Sequence, residues 1–370
     1  MATGRLPATA RCRPSPAHVL LAARATSRAT AGPGRRPPHP ASRIRSGRPV
    51  PSSTGPAASP AAIGRPMPTR DLFLVLLIVL AWAFNFLTSA LAMREIPPFL
   101  FTALRFALLA LPLVFFLKRP APGQWPRLVA TCLCVGVLHF GLSFSALKLA
   151  GDLSSTAIVM QSYVPMTALL AWAVLGERFG WRTGVAIAIS FGGVLVLGFD
   201  PLVLDRPMAL ALMLVAAFFL AAGTVLMKPL KQLNAYSMQG WTAVFSVVPL
   251  LAISLWLEPG ALARLPDAGA VAWFGAFYAA FISSLLGHGL YYVLVQRYPV
   301  AQVTPWLLLV PVLAVGLGIA FWGDRPGPKL WIGGAMVLGG VLVIALRVLQ
   351  KSRAPRDAAG PHEIPPTDTI

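Results

Sequence analysis

Six polar side chains interrupt stretches that are otherwise apolar: Asn85, Arg105, His139, Gln161, His288 and Gln302, with Lys148 near the end of one stretch. Each is costly in such a setting unless its hydrogen bonds are met. Asn85 sits one turn past Trp82 in "VLAWAFNFLTS", and Gln161 one turn before Pro165. Either amide could bond across helices or line a polar crevice. Arg105 offers a planar fork that fits a carboxylate; the alternatives are a clamp on Glu177 or on backbone carbonyls. His139 and His288 titrate near neutral pH. No Asp or Glu lies deep in an apolar stretch, so the two histidines are the expected proton-coupling groups, against the plainer reading of helix-interface histidines. Pro165 and Pro311 each remove a backbone N–H and kink a helix. Tyr163, Tyr291, Tyr292 and Trp306 fall nearby and would give a small-molecule pocket its apolar wall, unless they form an interfacial belt.

Other chemistries lack their residues. The acids are scattered, so no catalytic set is visible and no enzyme is expected. Cys132 and Cys134 have only His139 near them, too few ligands for a metal; the reading is small buried hydrophobes, with no metal and no cofactor. No G-x-x-x-x-G-K-[ST] loop exists, which excludes the common ATP-binding device. The net charge of +19 would suggest nucleic acid, but residues 1–70 hold 12 Arg and no acid, so most of the excess belongs to a tail. No nucleic-acid partner is expected.

The elements that must position these side chains are apolar blocks. The chain is 56% hydrophobic and 12% charged, with mean hydropathy +0.71, far below the roughly 25% charged of soluble domains. Ten blocks fall at about 72–93, 97–117, 127–148, 153–175, 181–199, 208–227, 236–257, 270–294, 300–322 and 328–349. A helix crosses the hydrocarbon in about 20 residues, and only helices satisfy their own backbone there without closing a barrel. The sequence predicts an all-α membrane protein with ten transmembrane helices. With both termini cytoplasmic, 13 basic loop residues fall inside and six outside, which favours that orientation. Residues 1–66, rich in Pro, Ala and Arg, and residues 351–370 are read as disordered tails. Transit peptide, basic arm and mis-assigned start compete for residues 1–66, with Met67 favoured as the native start.

A repeat underlies the blocks. "GER" at Gly176–Arg178 recurs as "GDR" at Gly323–Arg325, and "GGVLV" at Gly192–Val196 as Gly339–Val343, both 147 residues on. Pro165 and Pro311 are 146 apart, and the two histidines 149. Each copy holds five helices, an odd number, so the second lies inverted in the membrane. The expected halves are 67–206 and 207–350. Inverted repeats of this kind build many secondary transporters, with the site at the repeat interface near mid-membrane.

With "WAFNF" in the first block, "LRF" at Leu104–Phe106, "GER" closing the fourth and "GGVLV" in the fifth, residues 67–350 resemble the drug/metabolite transporter superfamily, and within it the EamA-type transporters. That resemblance implies a central cavity worked by alternating access and export of amino acids such as cysteine and O-acetylserine, or related metabolites. It carries motif roles to Trp82, Asn85, Arg105, Gln161, Pro165, Glu177 and Pro311. One departure is visible: the second copy of the first-helix motif, near "FFLAAGTVLM", has neither Trp nor Asn. The expected partners are a small-molecule substrate, membrane lipid and a proton or other ion, in a bacterial inner membrane. Export of drugs or other amphipathic molecules, a nucleotide-sugar-like or facilitative permease, and a non-transporting assembly protein are the alternatives. Monomer and homodimer stay equally open.

Overall fold

The computed structural model describes residues 67–298 and 300–357. Among the described residues, ten helices are long and apolar enough to cross a membrane: α1 Thr69–Ala92, α2 Pro98–Phe116, α3 Trp125–Ala150, α4 Ser154–Leu175, α5 Trp181–Gly198, α6 Pro207–Met227, α7 Ala235–Leu257, α8 Ala270–Arg297, α9 Gln302–Trp322 and α10 Pro328–Gln350. Their starts and stops follow local chemistry. Proline occupies the first position of α2, α6 and α10, where its missing N–H breaks no helical bond. The tail expected at 1–66 lies outside the described residues. At the other end the helix of α10 continues to Asp357, past the boundary drawn at 350. Helix propagation costs little once a long helix is nucleated.

The repeat is visible in irregularities as well as in helix count. Helix α4 breaks between Met160 and Tyr163, and α9 breaks at Leu308, each just before Pro165 or Pro311. Helices α3 and α8 carry π-helical turns over Leu133–His139 and Tyr278–Gly287, which end beside the two histidines. The glycines of "GER" and "GDR" close α4 and α9 in the left-handed conformation, with φ of 68° and 85°. The next residue in each case turns its N–H back: Glu177 to Ala171 at 3.2 Å and Asp324 to Gly318 at 3.0 Å. Both ends close in the same way, the glycine N–H and the N–H after it converging on one carbonyl five and six residues back. The fold is two five-helix copies, and the odd count inverts one against the other.

Polar contacts separate the two faces of the bundle. On the face that carries the termini, Arg297 Nη1 and Tyr298 Oη donate to Asp71 at 2.8 and 2.6 Å. There too the Lys118 N–H reaches Ser237 Oγ at 2.8 Å, and Lys228 pairs with Glu177 at 2.8 Å. On the far face, carboxylates cap helix starts. Glu258 accepts the N–H groups of Phe99 and Leu100 at 2.8 and 3.0 Å. Glu95 accepts from Gly269 at 2.6 Å. Asp200 accepts from Leu330 at 2.9 Å, and Asp324 from Leu153 and Ser154 at 3.0 and 2.9 Å. Each cap joins one half to the other. The apolar core follows the same division: Met93, Ile96, Leu100, Phe101 and Leu153 pack near the far face, and Val75, Ile78, Val79, Leu294 and Val303 near the termini.

Candidate functional site

Arg105 lies in the middle of α2 and is 2% exposed. Its Nε and Nη2 both donate to one hydroxyl, Ser284 Oγ of α8, at 3.1 and 2.8 Å. Ser284 passes its own proton to the Ala279 carbonyl at 2.7 Å. The guanidinium plane covers the Phe140 ring, 4.2 Å from its centroid. Nη1 is buried with no hydrogen-bond partner. The ion pairs Lys228–Glu177 and Arg297–Asp71 do not involve it. The expected alternative of a clamp on Glu177 is not the arrangement found, since Glu177 sits half exposed on the termini face against Lys228. A buried cation without an acid is an expensive feature, and it lies between the two halves.

Around it, four of the sequence-predicted residues come together. Trp82 of α1 donates Nε1–H to the Ser283 carbonyl at 3.0 Å, and its ring lies 5.1 Å from His288 and 6.0 Å from Tyr291. His288 Nδ1 meets the carbonyls of Ser283 and Ser284 at 3.3 and 3.2 Å. His139 packs 4.6 Å from the Phe140 ring that Arg105 covers, and its Nδ1 meets the Ala216 carbonyl of α6 at 3.1 Å. A carbonyl can only accept, so Nδ1 carries the proton in both rings and Nε2 is left for a second proton. Trp82, His288, Ser284, Arg105, Phe140 and His139 thus form one connected band across α1, α8, α2 and α3. The π-helical turn of α8 supplies the Ser283 and Ser284 groups, in keeping with the frequent placement of such turns at functional sites.

The other expected residues lie apart from that band or at its margin. Asn85 is half-buried and accepts from Ser89 Oγ within its own helix at 3.5 Å. Gln161 and Tyr163 are half-buried at the break in α4, while Pro165 and Pro311 are buried. Tyr292 packs on Tyr236 of α7 at 6.0 Å. Trp306 is 43% exposed. A groove of about 400 Å³ lies elsewhere, between α5 and α10, lined by Arg182, Ile189, Met336 and Val343 among others. Ser283, Ser284 and Phe140 escaped the sequence reading, because a serine or phenylalanine in an apolar block carries no signal of its own; the Ser-Ser pair one turn before His288 was the available hint. Among the described residues no group of three His, Cys, Asp or Glu could hold a metal ion.

The comparisons with known proteins agree with this architecture. A "probable amino-acid metabolite efflux pump" of Salmonella typhimurium is 30% identical over 299 residues, covering 78% of this chain and 99% of that protein. Its namesake in Escherichia coli is 27% identical, covering 75% and 95%. A "probable terminal-alkyne amino-acid exporter" of Streptantibioticus cattleyicolor is 25% identical, covering 64% and 78%. A crystal structure with 19% identity superposes with a TM-score of 0.52 and spans 78% of this chain and 100% of that one; at that identity it speaks for the fold alone. Both five-helix copies, residues 69–199 and 207–346, match one family, and the chain belongs to the EamA-like transporter family.

Proposed function

We propose that the chain is a secondary transporter, and not an enzyme, that exports amino acids or related small carboxylates by alternating access between its two halves. The observation that carries this reading is Arg105, a guanidinium buried at mid-span between the halves with an unpaired Nη1 and no acid partner. A substrate carboxylate is the group that would complete it, because a planar fork and a carboxylate pair bidentately. The Trp82, Tyr291 and Phe140 rings then face the remainder of the substrate, which suits an apolar side chain. The names of the relatives point the same way. Asn85, Gln161, Tyr163 and Trp306 belong to this reading as wall residues that the moving halves would bring to the substrate, with hinges at Pro165 and Pro311. His139 and His288 are the proton-coupling groups, each presenting a free Nε2. The excess of basic residues in the loops read as inside, 13 against six, supports a cytoplasmic location for both ends, in an inner membrane.

The test is counterflow in proteoliposomes with an amino acid and its amide. The wild type should move the acid and discriminate against the amide by about tenfold or more, the range for leaving a buried charged group unpaired. Arg105→Gln should lose that discrimination. In the same assay, pH-dependent flux should flatten in a His139→Gln, His288→Gln double variant. Retained preference for the free carboxylate in Arg105→Gln would remove the anchor from this site.

A further inference from the structure

The acids of "GER" and "GDR" occupy equivalent places in the two copies and do different things. Asp324 is 7% exposed. Its Oδ2 accepts the N–H groups of Leu153 and Ser154 and the Ser154 hydroxyl at 3.0, 2.9 and 2.6 Å. It therefore caps the start of α4 from the end of α9. It reaches that position through a gap left by Gly318, where any Cβ would collide with the carboxylate. Glu177 has the same backbone closure, yet its side chain is 51% exposed and holds Lys228 at 2.8 Å. By the repeat, the counterpart of the α4 start lies 147 residues on, at Val300, where the helical segment that leads into α9 begins. The counterpart of Gly318 is Ala171, and Glu177 is one methylene longer than Asp324, enough to pass that Cβ.

We propose that Asp324 and Glu177 are alternative latches: Asp324 capping α4 shuts the far face, and in the opposite state Glu177 leaves Lys228 and caps α9, shutting the termini face. This rests on the transporter reading and assigns the positioning residues that set which face is open. The chemistry is a carboxylate exchanging between water or an exposed ammonium and buried backbone donors at a helix start, where the helix dipole favours it. The other far-face caps, from Glu95, Asp200 and Glu258, lie on the same face as Asp324 and likewise join the halves there. The exposed Lys228–Glu177 pair is the kind that contributes little stability, so releasing it is cheap.

The experiment is sided labelling of a single cysteine. In the full chain with Cys12, Cys132 and Cys134 replaced by alanine, Gln161→Cys at the α4 break is exposed to an impermeant maleimide from each face of reconstituted vesicles, without substrate. Asp324→Asn should raise the ratio of far-face to termini-face labelling by roughly tenfold, the size of one lost helix cap. Glu177→Gln should lower the ratio. Lys228→Gln breaks the same ion pair from its other side, yet should raise the ratio by freeing Glu177. If Glu177→Gln and Lys228→Gln shift the ratio in the same direction, or Asp324→Asn leaves it unchanged, the latch is overturned. Should Asp324→Asn fail to fold, the opposed signs of the other two variants still decide. Because no substrate is present, a failed flux assay leaves this result standing, and the reverse.

Discussion

Asp152 shows how a single side chain at a helix start can set a pH dependence. It is 3% exposed and accepts the Ser155 N–H and hydroxyl at 2.6 and 2.8 Å. Burial pushes its carboxyl up to about 6, the Ser155 bonds oppose that, and the nearby Asp324 and Asp200 charges add to it. Its unfolded value is near 3.9, so between about pH 4 and pH 6 the folded chain holds the proton that the unfolded chain releases. Stability from this group is therefore present at the acid end and lost as pH rises through 6. Asp152→Asn keeps an acceptor for Ser155 and does not titrate. Thermal unfolding in detergent should show the variant gaining on the wild type by about 5 °C between pH 4 and pH 7; a constant difference across that range would refute the assignment. The residue scale was also the least legible in sequence. Arg105 was visible as a charge in an apolar run, but its companions were not. Which Ser or Phe meets it depends on the crossing of α2, α3 and α8. The capping roles of Asp152, Asp200 and Asp324 leave no mark among scattered acids in the sequence, since a cap is a relation between a carboxylate and particular backbone N–H groups.

At the scale of elements, "GGVLV" was read as a repeat marker, and packing now explains why it is repeated. Helices α5 and α10 cross through it. A Cβ on Gly193 would lie 2.6 Å from the Gly333 carbonyl oxygen and 2.9 Å from the Val337 nitrogen, and one on Gly340 would lie 2.6 Å from the Ala186 carbonyl oxygen. The second glycine of each copy is where backbone meets backbone, and Ser190 Oγ donates across the same contact to the Val337 carbonyl at 3.3 Å. Small residues of this sort allow close helix packing in membranes. Gly193→Ala should cost about 1–3 kcal/mol, read as a lower melting temperature. Gly316→Ala, with open space around it, should be neutral or slightly stabilising. Equal effects at the two sites would show that helix propensity and not the crossing governs. The helices themselves were legible from hydropathy. The breaks were legible only through Pro165 and Pro311, while the π-helical turns in α3 and α8 left no mark that composition could reveal.

For the whole molecule, the inverted arrangement makes a geometric demand on topology. The "GER" and "GDR" segments must lie on opposite faces, as the sidedness of Lys228–Glu177 and of Asp324–Ser154 requires. Cysteines placed at Arg178 and at Arg325 in a cysteine-free chain should react with an impermeant reagent from opposite sides of a sealed vesicle, and reaction from one side would refute the inversion. This level was legible early because it rests on counting: an odd number of spans per copy inverts the next one, whatever the side chains do.

The far-face seals have a lopsided tolerance to change. On the donating side, at Phe99, Leu100, Leu153, Gly269 and Leu330, the group is a main-chain N–H, which any residue but proline keeps. On the accepting side only an acid of the right length serves. Random substitution should therefore leave the caps intact at the openings of α2, α4, α8 and α10, where the buried Leu100, Leu153 and Leu330 are held by packing and not by the cap, while Glu95, Asp200, Glu258 and Asp324 stay pinned by the cap itself.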